Sequence, residues 1–251
     1  MSGQMNTGRY SQIIAKIFLD RYRPGAQQLG FARDDISKAA DELGIELPKN
    51  LGDVVYSIRY RTSMPKSVVE TAPDGYEWII RGRGRSQYEF QLTKFNRIVP
   101  NESLATISIP DATPEIINRY ALSDEQALLA VVRYNRLVDI FCGITTYSLQ
   151  NHLRTTVGEI GQVEIDEVYV GVDRAGEQYV LPVQAKGGTD QLSVVQTSQD
   201  ISCCHEKFPG LVCRSVSVQF MDDETICMFE LTLQDGDIRI IDEKHYRLVD
   251  I

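Results

Sequence analysis

The sequence predicts an α/β protein in two parts. A small N-terminal α+β domain covers residues 1–105, and a larger domain over residues 106–251 carries a mixed sheet flanked by helices. Three observations support this. Apolar residues step by three and four through residues 10–22 and 36–43, then alternate at period two from 76 to 92, the helix and strand signatures in turn. Pro100, Pro110 and Pro114 punctuate residues 95–114, a linker pattern. Beyond it one long helical stretch precedes several alternating segments, with a further helical segment among them.

The bulk properties narrow the function classes. The chain has 251 residues, 43% hydrophobic and 24% charged, ordinary values for a globular protein with ample core. No apolar run is long enough to span a bilayer. The first residues are polar and carry no signal-peptide core, so the expected location is the cytoplasm. Five cysteines, an odd number at irregular spacing, favour reduced thiols. Cys203, Cys204, His205 and Cys213 offer thiol and imidazole donors, but adjacent cysteines rarely share one ion and no C-x-x-C is present. A net charge of −9 argues against indiscriminate DNA binding. The charge is uneven: residues 1–99 hold fifteen Lys/Arg against eleven Asp/Glu. That basic excess suits a polyanionic partner.

In the N-terminal part, Ile13, Ile14, Ile17 and Phe18 mark a first helix that Pro24-Gly25 ends. Ile36, Ala39, Ala40 and Leu43 mark a second, with Gly44 as its C-cap. A basic aromatic segment from Leu51 to Arg61 follows. Residues 76–80 and 87–92 then alternate as strands around Arg81-Gly82-Arg83-Gly84-Arg85. Two helices, a basic segment and such a hairpin resemble a winged helix. Three arginines between glycines cannot form a core, and the glycines let the backbone approach a phosphate. Arg81, Arg83 and Arg85 are therefore candidate DNA contacts, joined by Arg59 and Arg61.

In the C-terminal part, Ser123 and Gln126 have capping-box spacing and open a helix expected to run to Phe141. The polar stretch Tyr147 to Arg154 offers Gln150, His152 and Arg154 for DNA contact. Glu164-Ile165-Asp166 and Gln184-Ala185-Lys186 follow, each on a strand. Side chains two apart share a face, so Glu164 and Asp166 point one way, as do Gln184 and Lys186. The polar linker 172–178 contains Gly176 and reads as a hairpin loop, which puts the four side chains together. Alone, either triplet is an ordinary solvated face. Together, carboxylates, a carbonyl and an ammonium suit a hard divalent ion and a phosphate.

Asp166, Gln184 and Lys186, at this spacing and followed by a helical segment from Asp190 to Ser202, resemble the PD-(D/E)XK nuclease superfamily, the fold of many type II restriction endonucleases. The resemblance spans roughly residues 115–240. Two departures stand out: Ile165 replaces the proline, and Gln184 replaces the second acid. The resemblance implies a restriction-endonuclease-like sheet and Mg2+-dependent hydrolysis of double-stranded DNA. It implies an ion held by Asp166, the Gln184 side-chain oxygen and the Ala185 carbonyl, with Lys186 on the attacking water. Glu164 and Glu125 are further acids for the ion, and Gln196 is a phosphate contact. The type II enzyme implies a homodimer and a cognate DNA methyltransferase acting on the same site, with no membrane partner. A repair or junction nuclease, or a DNA-binding regulator with a weakened nuclease core, are the alternatives. On this reading Gln184→Glu restores a carboxylate and lowers the magnesium requirement.

Overall fold

The structure, a computed structural model, describes all residues except 1, 61, 95–97, 121–124, 159, 188–191, 193, 222, 235–236 and 251, and leaves out the side chains of 2–7, 60, 118, 125 and 237. Arg61, Ser123 and the Glu125 side chain therefore lie outside the described residues. The chain divides into two compact units. One comprises residues 1–95 with 158–161, the other 96–157 with 162–251.

The first unit runs α1 (Ser2–Arg21), β1 (Gln28–Ala32), α2 (Arg33–Leu43), α3 (Gly52–Tyr60), α4 (Lys66–Val69), β2 (Tyr76–Gly82) and β3 (Gln87–Lys94). Its three strands form an antiparallel sheet in the order β1–β3–β2. The expected apolar stripes make the core. Ile13, Ile14, Ile17 and Phe18 of α1 meet Ile36, Ala39 and Ala40 of α2 and Trp78, Ile80 and Phe90 of the sheet. Phe18 lies edge-on to Trp78 and Phe90, with ring centroids 4.9 and 5.1 Å apart, a favoured aromatic geometry. At the start of α2, Asp35 accepts the Ala32 N–H at 2.7 Å. Gly44 ends the helix at φ 64°, where a side chain would be strained. Two features differ from the sequence reading. Residues 28–32 form a strand, because β3 offers it a full antiparallel register. The basic aromatic segment is itself a helix, because Val54, Val55 and Ile58 bury one face of it.

The second unit runs β4 (Thr106–Pro110), α5 (Glu115–Tyr120), α6 (Glu125–Tyr134), α7 (Leu137–Cys142), β5 (Thr145–Val157), β6 (Gly161–Val172), β7 (Gln178–Gly187), α8 (Val194–Lys207), β8 (Val212–Cys213), β9 (Ser215–Phe220), β10 (Ile226–Gln234) and β11 (Asp237–Val249). Its sheet has the order β4–β11–β10–β9–β7–β6–β5, with β8 beside β7. The sheet is mixed. β7 is parallel to β9 and β4 to β11, whereas β6–β7, β9–β10 and β10–β11 are antiparallel. α8 makes the crossover that a parallel pair requires.

Helices cover both faces. Leu129, Val132, Leu137 and Phe141 of α6 and α7 pack with Leu181, Val183, Ala185, Val216 and Met228. On the other face Ile201 of α8 packs with Cys227, Phe229 and Leu231. The expected single helix to Phe141 is two helices. Arg136 takes φ 51° between them. The buried Asn135 side chain holds the break, accepting the Ala112 N–H at 2.7 Å and donating to Thr113 Oγ1 at 2.8 Å and Val131 O at 3.0 Å. The expected linker also contains β4, which finds its partner β11 at the far end of the chain.

Candidate active site

β6 and β7 pair from Val172↔Gln178 to Glu167↔Val183. The intervening turn is tied by Asp173, whose carboxylate accepts the Ala175 and Glu177 N–H groups at 2.8 and 3.0 Å. At the other end of the ladder a side chain takes the place of a rung: the Asp166 carboxylate accepts the Ala185 N–H at 3.2 Å. Along β7's opposite edge, Gln184 lies beside Ser217 and Lys186 beside Gln219 on β9. Val183 and Ala185 face α6 and α7, so Gln184 and Lys186 face α8 by strand alternation. Asp166 shares that side. The two-residue period thus brings Asp166, Gln184 and Lys186 together, as the sequence implies.

Gln184 is only 1% exposed and Asp166 8%. Behind Gln184 lies a residue that sequence reasoning missed. Asp200 of α8 is fully buried, and its carboxylate accepts the Gln184 amide N–H. Burial pushes the Asp200 carboxyl well above the ordinary carboxylate range. The Gln184 hydrogen bond opposes that push, and the neighbouring Asp166 charge adds to it. Gln184 Oε1, Asp200 Oδ1 and Ser217 Oγ are buried without a hydrogen-bond partner among the described residues. One sequence signal for Asp200 exists: Thr197, Asp200 and Cys204 step by three and four, and all three are buried.

Adjacent acids on β6 go to opposite faces. Glu167, next to Asp166, is fully buried on the α6 side. It accepts Arg133 Nε at 2.9 Å and Ser148 Oγ at 2.5 Å, and so ties α6 and β5 to β6. Glu164 shares the face of Asp166, but its carboxylate is engaged by β5. Arg154 Nε and Nη2 donate to it at 3.0 and 3.2 Å, and His152 Nε2 lies 2.9 Å away. Three of the sequence candidates therefore form one cluster. Gln150 is exposed on the same strand, and Gln196 is half-buried on α8.

In the first unit Arg81 and Gly82 end β2, opposite Glu89 and Tyr88 of β3, and the rest of the arginine loop is the β2–β3 turn, with Gly84 at φ 98°. Arg85 is exposed. Arg83 meets Glu89 of β3 at 3.1 Å, and Arg59 is half-buried on α3.

The oxygen donors at the strand ends fit a hard divalent ion. They are the Asp166 carboxylate, the Gln184 oxygen that lacks a partner among the described residues, and the Ala185 main-chain carbonyl. Among the described residues no three His, Cys, Asp or Glu side chains form an ion-holding group. No protein-family model, no curated protein and no solved structure matches the chain.

Proposed function

We propose that this protein is a magnesium-dependent endonuclease of the PD-(D/E)XK type that hydrolyses phosphodiester bonds of double-stranded DNA as a type II restriction enzyme. One observation carries the reading. Asp166, Gln184 and Lys186 meet at the end of the β6–β7 ladder, in a core ordered helix, three strands, helix, strand. The first unit supports it: its order α1–β1–α2–α3–α4–β2–β3, with sheet order β1–β3–β2, is that expected of a winged helix with the short helix α4 added between α3 and β2.

Asp166, Gln184 Oε1 and the Ala185 carbonyl would hold the ion, which when bound polarises a phosphoryl oxygen and acidifies water. Gln184 is aimed by Asp200: turning the amide over would set oxygen against carboxylate. Asp200 also brings a second carboxyl group to the site, where the chain carries glutamine in place of the acid. Lys186 orients the attacking water by hydrogen bonding, and its ammonium offsets charge developing on the phosphorane-like transition state. The first unit would supply DNA affinity through Arg81, Arg83, Arg85 and Arg59. A homodimer suits a palindromic target cut on both strands, and a methyltransferase of the same specificity would protect the host site.

The test is incubation of the purified protein with plasmid DNA and Mg2+. Discrete fragments that require Mg2+ and vanish in Lys186→Ala support the proposal, and intact plasmid in every condition refutes it. The glutamine at 184 favours a second reading, a DNA-binding regulator, because it leaves Asp166 as the one carboxylate in the set Asp166, Gln184 and Lys186. Sequence-specific binding without cleavage marks that case.

A further inference from the structure

Glu164 is an acid on the face of the candidate site that is already satisfied. Three N–H donors converge on its carboxylate, two from Arg154 and one from His152. The two donors lie outside and the acid beneath: side-chain exposure is 58% for Arg154 and 50% for His152, against 25% for Glu164. His152 is held at φ 53°, a conformation unfavourable for a residue with a Cβ. Strain of this kind clusters where a side chain must be presented.

We propose that a DNA backbone phosphate replaces Glu164 on Arg154 and His152, and that Glu164 is a stand-in anion occupying the phosphate position until DNA arrives. This rests on the nuclease reading. A guanidinium accepts a phosphate in the same forked geometry as a carboxylate. Ion pairs this exposed hold weakly enough to exchange. A duplex offers phosphates at high local charge density, and its released counterions favour the exchange. The displaced carboxylate lies two residues from Asp166 on the same strand face. Arrival of DNA thus returns a negative charge to the side of β6 where the ion would bind.

The experiment measures binding of a short fluorescent duplex in EDTA across a salt series, for wild type, Glu164→Gln, Glu164→Ala, Arg154→Ala and the Arg154→Ala/Glu164→Gln double variant. Glu164 is partly exposed, so neither change at 164 opens the core, and thermal melts verify this. Removing the stand-in should tighten binding about three- to tenfold and steepen the log–log salt slope by about one. The double variant should show no gain over Arg154→Ala. Equal or weaker binding by both Glu164 variants overturns the exchange, and Glu164 then only positions Arg154. A wild type that cuts DNA while its Glu164 variants show no gain overturns the exchange alone. Failure of every protein to bind or cut duplex overturns the nuclease reading with it.

Discussion

Asp200 on α8 and Gln184 on β7 are joined by a buried amide-to-carboxylate hydrogen bond that couples the crossover helix to β7. The amide nitrogen donates to Asp200, and the amide oxygen is buried without a hydrogen-bond partner among the described residues.

Gln184→Glu should therefore fail, against the sequence-based expectation of an easier magnesium requirement. It removes the N–H that Asp200 accepts and sets a second carboxyl beside a buried one whose charged form burial already disfavours. Taking away the partner of a buried polar group costs about 1–3 kcal/mol. Denaturant unfolding at neutral pH should show a loss of that order, with cleavage abolished. Gln184→Glu/Asp200→Asn reverses the pair and should recover most of the stability. A single variant as stable as wild type would mean that the Asp200 bond does not form.

The same pair sets a pH dependence. The folded Asp200 carboxyl titrates well above its ordinary value of 3.8. Between those two values the folded state keeps a proton that the unfolded chain has released. The stability from this group is therefore fully present below 3.8 and is lost as pH rises toward the folded value. The stability difference between wild type and Asp200→Asn should fall by about 1.4 kcal/mol per pH unit across that window. Urea unfolding at a series of pH values measures it, and a flat difference would remove the burial argument.

Asp166→Asn and Lys186→Ala should abolish cleavage and leave duplex binding within about twofold of wild type. Asparagine can still accept the Ala185 N–H, which Asp166 now holds, so that variant should fold normally. Plasmid cleavage and gel-shift titration read the two effects separately. Normal cutting by Lys186→Ala would put the chemistry elsewhere.

Arg81, Arg83 and Arg85 should contribute unequally. Arg83 is already paired with Glu89, whereas Arg85 is exposed. Arg85→Ala should flatten the log–log salt dependence of binding by about one unit if it meets one phosphate, and Arg83→Ala by less. An unchanged slope in Arg81→Ala/Arg83→Ala/Arg85→Ala would move the polyanion surface to another part of the chain.

How far the sequence reaches is clearest at particular positions. Glu164, Asp166, Gln184 and Lys186 were legible because strand alternation sorts side chains by face, and a turn as local as Asp173 to Glu177 closes the hairpin. Asp200 was not, because an aspartate among Thr197, Gln199 and His205 has the composition of a solvated helix face. Its burial follows from where α8 lands on the sheet. β4 was read as linker for a similar reason: its strand character depends on residues 245–249, which no local window contains. The break at Arg136 escaped because Asn135, which enforces it, bonds back to Ala112 and Thr113.

The Ala185 amide has a further use. It is hydrogen-bonded to the side chain of Asp166, so its proton senses the group that an ion would claim. Its NMR shift and exchange rate form a built-in gauge of loading. A magnesium titration followed at this one resonance would report site occupancy with no DNA present and no bond cut.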